Sequence, residues 1–287
     1  MIKKLTLITI LLFIFNLSLF PLVITTNNYT GYYGSIKEEV NDLFYAVKYN
    51  DIKGITNSLE WIGEDLNNII CVMSGKYEMI GVRFSTLEQT PLTYAIECDN
   101  LKSIDTLLKL GANIDKTILW HDAEITLTPL MFALIEKHYK AASFLIKKGA
   151  NINVRNEIGE TALMYACMDK SIHRYDEYDI LNPDIVRSLI KSGMNINNIN
   201  EVNNEGNTAL LYAIYTYRRV ILDAKKNSDY SYYKNKDELP TFETIKLLID
   251  NGANVNIRNK NGDTPLSLSK ELPELIKLLK DAGAYLE

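Results

Sequence analysis

A six-residue phrase returns five times along this chain, and a chain written that way folds by stacking copies of one small unit. The phrase is Thr90-Pro91-Leu92-Thr93-Tyr94-Ala95, then Thr128-Pro129-Leu130-Met131-Phe132-Ala133 and Thr161-Ala162-Leu163-Met164-Tyr165-Ala166. It recurs as Thr208-Ala209-Leu210-Leu211-Tyr212-Ala213 and as Thr264-Pro265-Leu266-Ser267-Leu268-Ser269. Each copy is followed by an aliphatic stretch that closes in glycine: Leu107-Leu108 before Gly111, Phe144-Leu145-Ile146 before Gly149, Leu189-Ile190 before Gly193, Leu247-Leu248-Ile249 before Gly252, and Leu278-Leu279 before Gly283.

Both halves of the phrase have a physical reading. A threonine hydroxyl accepts one of the backbone N–H groups left over at a helix start, and proline in the next position has its φ already set for the first turn. Leu and Ala at three-residue spacing then give a first helix one apolar face with a small residue for close approach. A second helix carries the Leu pair, and the glycine supplies the left-handed residue that ends it. Each unit is therefore a helical hairpin. The polar, turn-rich stretches Asn151 to Gly159 and Asn254 to Gly262 read as extended fingers leading to the next unit.

These residues resemble the ankyrin repeat, whose pattern runs Gly-x-Thr-Pro-Leu-x-x-Ala and then Val-x-x-Leu-Leu-x-x-Gly-Ala-x-x-Asn. Gly262-Asp263-Thr264-Pro265-Leu266 matches the opening, and a weaker unit around Leu43-Phe44-Tyr45-Ala46 and Leu59 to Asn67 reads as an N-terminal cap. The resemblance covers about residues 36–287 and implies an all-α solenoid of about six helix-pair units joined by β-hairpin fingers. The units divide as a capping repeat with a long finger at 36–89, repeats at 90–127 and 128–160, repeats with insertions at 161–207 and 208–263, and a C-terminal cap at 264–287. In the family the partners are proteins, held on the concave face by finger tips and first helices. Carried onto this chain, that implies contacts from Arg155, Asn156 and Glu157 on one finger and Arg258, Asn259 and Lys260 on another. Thr93, Met131, Met164 and Leu211 are the corresponding first-helix residues. The opposing view of the finger charges is that they keep the protein soluble.

Two insertions depart from the pattern. Thr to Gly is 21 residues in the units that begin at Thr90 and Thr128, and 32 and 44 in the next two, with the surplus at Asp169 to Pro183 and Tyr217 to Pro240. In a stack whose units touch only their neighbours, added residues project from an edge. The second insertion sets Tyr217, Tyr230, Tyr232 and Tyr233 among Arg218, Arg219, Lys225, Lys226, Lys234 and Lys236. Such a surface suits an acidic partner, since Tyr and Arg are over-represented at interface hot spots, and a solvated, partly helical loop explains it equally. In the first finger, Ile69 to Met73 and Tyr77 to Phe84 flank Ser74-Gly75-Lys76, which predicts a β-hairpin.

The N-terminus obeys different rules. Lys3 and Lys4 precede a segment, Leu5 to Ile24, that is apolar except for Thr6, Thr9, Asn16, Ser18 and Pro21. A cationic start before a greasy segment is the order of a secretion signal, and its 20 residues also approach the length that spans a bilayer. Two readings stand, a cleaved signal peptide at 1–26 or an uncleaved anchor, with 27–35 as linker. Either exports the rest of the chain, because the lysines hold the N-terminus in the cytoplasm. The expected location is the periplasm or the exterior, or alternatively the membrane surface.

Composition removes other classes. With 31 basic and 36 acidic side chains the net charge is −5, and no basic stripe supports nucleic-acid binding. His121, His138 and His173 lie far apart and at no metal-ligand spacing, and neither a phosphate-binding glycine loop nor a nucleophile elbow occurs. Cys167 follows the repeat alanine and reads as core, while export permits a Cys71–Cys98 disulfide. The function expected is therefore protein binding by a monomeric scaffold, without catalysis, cofactor or metal, touching a membrane only through residues 5–24 if these are retained. The alternatives are a membrane-tethered accessory or regulatory subunit of an exported enzyme, and a secreted effector that acts on a host protein.

Overall fold

The structure is a computed structural model, and it describes residues 22–25, 36–62, 66–74, 86–120, 124–168, 181–193, 196–226 and 239–285. The chain divides into two compact units.

The first unit comprises residues 1–113 and 118–124. Helices α1 (Ile36–Lys48) and α2 (Ile52–Ile62) pack as one hairpin, and α3 (Pro91–Glu97) and α4 (Leu101–Lys109) as the next, with α1 against α3. Leu43, Val47, Ile55, Ala95, Ile96, Ile104 and Leu107 are fully buried between them. The rings of Phe44 and Tyr94, 5.1 Å apart, join the two first helices. Helix ends leave carbonyls without intrahelical partners, and here the neighbouring hairpin supplies donors. Asn100 Nδ2 and Ser103 Oγ both donate to the Val47 carbonyl, each at 3.0 Å.

The long first finger is a small sheet. Strand β1 (Leu22–Thr25) pairs parallel with β2 (Ile69–Ser74), which pairs antiparallel with β3 (Thr86–Gln89), and β3 pairs antiparallel with β4 (Ile118–Trp120). The hairpin partner of β2 thus runs over 86–89, with Cys71 opposite Gln89, and the arm expected at 77–84 lies outside the described residues. β1 comes from the end of the apolar N-terminal segment, the rest of which also lies outside them.

The second unit comprises residues 114–117 and 125–287 and opens on β5 (Ile125–Leu127). Its first helices are α5 (Pro129–Ile135), α7 (Ala162–Cys167), α10 (Ala209–Lys226) and α12 (Pro265–Leu268). Its second helices are α6 (Tyr139–Lys147), α8 (Pro183–Lys191), α11 (Pro240–Asp250) and α13 (Pro273–Asp281), with a single turn α9 at Ile196–Ile199. Each first helix packs on the next first helix, and α6, α8 and α11 pack likewise, which makes two parallel rows with the core between them. The fold is all-α, as the phrase and its glycines require.

Local chemistry performs as the sequence predicts. Thr90, Thr128, Thr161, Thr208 and Thr264 each accept the backbone N–H three residues on, and Pro91, Pro129 and Pro265 open their helices. Gly111, Gly149, Gly252 and Gly283 have φ between 89° and 98° after their second helices, and behind each an alanine N–H closes back five residues to a leucine carbonyl at 2.8 to 3.0 Å. No side chain tolerates that φ without strain. A further position of the repeat binds unit to unit: Asn200 donates to the Gly252 carbonyl and accepts from the Asn254 N–H, and Asn256 does the same with Gly283 and Tyr285.

The second insertion is corrected in part. Residues 217–226 do not leave the stack as a loop but lengthen α10 to 18 residues. Tyr217 is fully buried against Phe242, with ring centroids 5.5 Å apart, so its ring is part of the core and not of an exposed tyrosine cluster. Among the described residues no helix is long and apolar enough to cross a membrane.

Candidate functional site

The fingers of the second unit are held from inside by one asparagine each. Asn156, Asn203 and Asn259 stand at the same repeat position, five residues before the capping threonine. Asn203 Oδ1 accepts the N–H groups of Glu205 and Asn207 at 3.0 and 2.9 Å, and its Nδ2 donates to the Tyr212 hydroxyl at 2.8 Å. Asn259 accepts from Asn261 and Asp263 at 3.0 and 2.8 Å and donates to Asn207 Oδ1 and to the Tyr215 hydroxyl. Asn156 accepts from the Glu160 N–H at 2.8 Å and donates to the Tyr165 hydroxyl at 3.0 Å. Each finger then turns through a glycine in the left-handed region, Gly159, Gly206 or Gly262.

Neighbouring tips are joined through the backbone. Asn204 N–H donates to the Ile158 carbonyl and Lys260 N–H to the Glu205 carbonyl, each at 2.9 Å. The Gly206 Cα–H side lies so near this seam that an added Cβ would sit 3.1 Å from Asn259 Cα, which is the close approach that only glycine permits there. What the ladder leaves outward is the tip side chains: Glu157, Ile158, Asn204, Glu205, Lys260 and Asn261 are all exposed.

This geometry redistributes the residues expected to meet a partner. Thr93, Met131, Met164 and Leu211 are at most 1% exposed, and this corrects the expectation for them. They occupy the third position of first helices that pack row to row, so their side chains are core. Thr93 instead completes a capping box, its hydroxyl accepting the Thr90 N–H at 2.8 Å. Asn156 and Asn259 are also corrected, being 9% and 5% exposed and committed to their own fingers. Arg155, Glu157, Arg258 and Lys260 do reach the surface. Arg155 is engaged with the Glu201 carboxylate and with the Val202 carbonyl at 2.7 Å, and Arg258 with the Gly262 carbonyl at 3.0 Å. Glu157 accepts from the N–H and hydroxyl of Thr126 at 2.7 and 2.8 Å, and the first of these holds its carboxyl below the usual range. Tyr230, Tyr232 and Tyr233 lie outside the described residues, as do the side chain of Cys71, and with it the pairing with Cys98, and His121 and His173.

Sequence reasoning missed Asn203, Glu160, Tyr212 and Tyr215. The signal for Asn203 was present, since it shares its position with Asn156 and Asn259, but an asparagine in a polar finger reads as surface. Tyr212 and Tyr215, half-buried on α10, grip the fingers on either side: the Tyr212 hydroxyl donates to Glu160 Oε1 at 3.0 Å and the Tyr215 hydroxyl to Asp263 Oδ2 at 2.9 Å. Burial, then the Glu160 carboxylate, push the phenols of Tyr165 and Tyr212 well above their usual range. Burial alone raises the Cys167 thiol, as its core position requires. Among the described residues no group of three or more His, Cys, Asp and Glu side chains is placed to hold a metal.

Comparison with known proteins agrees with this architecture. The family model for three copies of the ankyrin repeat matches residues 43–156 and 116–181, and that for a single ankyrin repeat matches 205–260. Among solved structures, an ankyrin repeat domain from Acinetobacter baumannii is 25% identical with a TM-score of 0.55, covering 85% of this chain and 98% of that one. A chain in the structure of a predatory endopeptidase from Bdellovibrio bacteriovorus in complex with an immunity protein is 24% identical with a TM-score of 0.51, covering 84% and 97%, and at that identity it speaks for the fold alone. The intracellular phospholipase A2 of Caenorhabditis elegans is 30% identical over 135 residues, which are 46% of this chain. The chain spans about a tenth of that curated relative, 10% of its length. Between them the two family models take in residues 43–181 and 205–260, most of the sequence, and the chain belongs to the ankyrin-repeat family.

Proposed function

We propose that this chain is a non-catalytic scaffold that binds another protein along the finger tips of its second unit. The observation that carries the proposal is the division of labour within each finger. Backbone groups and the buried asparagines hold the fingers together, so the side chains of Ile158, Glu205 and Lys260 stand outward at the tips on a fixed spacing. Ile158 and Val202, each 37% exposed, supply apolar contact beside Glu205, Lys260 and the half-buried Tyr212 and Tyr215. Rigid tips cost little entropy on binding, which favours affinity. Binding proteins is also the usual work of ankyrin repeats.

The test is affinity capture with the full chain and with a triple variant, Ile158→Ser, Glu205→Lys and Lys260→Glu. The seam between fingers uses only the backbones of these residues, so the variant is expected to fold. One enriched protein is expected with the parent chain and its loss with the variant. Equal capture by both, or no enriched protein at all, counts against the proposal.

Export belongs to the same reading. We infer that the cationic, apolar N-terminus directs the scaffold out of the cytoplasm, with retention of residues 5–24 converting it into a membrane tether. The mass of the mature N-terminus distinguishes a cleaved signal from an anchor, and recovery of the untouched chain from the cytoplasm would sink both.

A further inference from the structure

Glu160 is a buried acid of which the fold uses only one carboxylate oxygen. It stands just before the capping Thr161, and the same position holds Asn207 and Asp263 in the following repeats. Those two are served by their neighbours: Asn207 Oδ1 accepts from Asn259, and Asp263 Oδ2 from the Tyr215 hydroxyl. Glu160 is one methylene longer than either and is 4% exposed. Its backbone is fixed on both sides, the N–H donating to Asn156 Oδ1 at 2.8 Å and the carbonyl accepting from the Asn156 N–H at 3.1 Å. The Tyr212 hydroxyl takes Oε1, and the Tyr165 hydroxyl lies near the carboxylate. Oε2 is buried and has no hydrogen-bond partner among the described residues, and none of the ion pairs found among them involves Glu160.

A carboxylate oxygen without a donor in a buried setting is costly to hold, whereas a charge-assisted bond to a cation would be among the strongest contacts available there. Both phenols beside it are kept protonated by burial and by the Glu160 charge, so the Tyr212 hydroxyl remains a donor to the carboxylate. Of the two, Tyr165 is 1% exposed while Tyr212 reaches solvent, so the way in lies on the side of Tyr212. Tyr212 is on a first helix, beside the finger tips that meet the partner in the scaffold reading.

We propose that the Glu160, Tyr165 and Tyr212 cluster is a socket for a basic side chain of the bound protein, with Glu160 Oε2 accepting from its guanidinium or ammonium group. This deepens the scaffold reading and rests on it. Entry displaces the Tyr212 ring, and the partner's N–H group replaces the missing donor at Oε2.

The experiment uses the full chain with 13C-labelled glutamate carboxyl groups, titrated with Nα-acetyl-arginine amide and, separately, with its neutral isostere Nα-acetyl-citrulline amide. The Glu160 resonance is identified by its absence in Glu160→Asn, which reproduces the residue found at this position in the next repeat. The resonance is expected to move with the arginine derivative at about tenfold lower concentration than with the citrulline derivative. No movement, or equal movement with both, overturns the socket. Should the Asn variant fail to fold, the label comparison on the parent chain with Tyr212→Phe as the identifying variant decides alone. The protein captured by the scaffold is expected to bind Glu160→Asn about tenfold more weakly. Undiminished binding overturns the socket while leaving the scaffold reading in place, and a shifted resonance with no captured protein does the reverse.

Discussion

Replacing Asn259 by alanine tests the claim that buried asparagines, rather than finger charges, hold the stack together. The side chain makes four bonds: it accepts from the N–H groups of Asn261 and Asp263 at 3.0 and 2.8 Å and donates to Asn207 Oδ1 at 2.8 Å and to the Tyr215 hydroxyl at 3.1 Å. A hydrogen bond contributes about 1 kcal/mol net, so the sum is roughly 4 kcal/mol if every group left behind stays dry. Asn261 is exposed and Asn207 and Asp263 are half-buried, so water recovers part of it and about 2–3 kcal/mol is expected. That is a large share of the roughly 5–15 kcal/mol that holds a folded domain. Because Asn259 ties the finger before α12 to the finger before it, the loss falls on the coupling of the last repeat to its neighbour. Urea unfolding followed by far-UV circular dichroism is the assay, with Lys260→Ala, one residue along and exposed, as the control. The control is expected within about 0.5 kcal/mol of the parent. Asn259→Ala should shift the midpoint and, as the last repeat frays first, shallow the transition. If the two variants unfold at the same urea concentration, the strut account is wrong. A double-mutant cycle with Tyr215→Phe should return a coupling of about 1 kcal/mol for the shared bond.

Other outcomes rest on single features. Lys137 turns from α5 into α6 at φ 61°, a left-handed position, and Lys137→Gly should stabilise by about 1 kcal/mol in the same urea assay. Gly149 has φ 89° and nothing within 4 Å of an added Cβ, so Gly149→Ala should destabilise by about 1–2 kcal/mol through the backbone alone, and an unchanged midpoint would contradict that. The raised Tyr165 phenol means that the unfolded chain loses its proton first. The stability this group contributes is then fully present below about pH 10 and falls by roughly 1.4 kcal/mol per pH unit as the pH rises above it, a share of the slope that Tyr165→Phe should remove while the raised Tyr212 keeps its own. Cys167, fully buried with its thiol raised, should resist a maleimide in the native protein and react once urea is added. Reaction at the native rate of an exposed thiol would show the α7 core to be open.

Much of the architecture was legible because its determinants are local. A threonine, a proline and a glycine at fixed spacing set helix starts and ends through their own backbone chemistry, and five copies of the phrase made the period unmistakable. Fingers were legible as turns for the same reason. The family's usual binding positions transferred less well. Met131, Met164 and Leu211 match the family's binding positions by their place in the repeat, yet whether a third helical residue faces outward or a neighbouring helix depends on how closely the row packs. Here α5, α7 and α10 close over them.

The sequence by itself therefore determined the unit, its caps and its repetition, since each of these is decided within about thirty residues of chain. Only the tertiary structure decided which polar residues are struts and which are surface. Asn156 and Glu157 are adjacent and equally polar, but one is buried and accepts the Glu160 N–H inside its own finger while the other is exposed at the tip and reaches across to Thr126. The same holds for Glu160, whose neighbours Tyr165 and Tyr212 come from its own repeat and the next. A buried polar atom must find its partner wherever the chain brings one, and in this stack the partner often lies some fifty residues away, as Tyr212 does from Glu160 and Asn207 from Asn259.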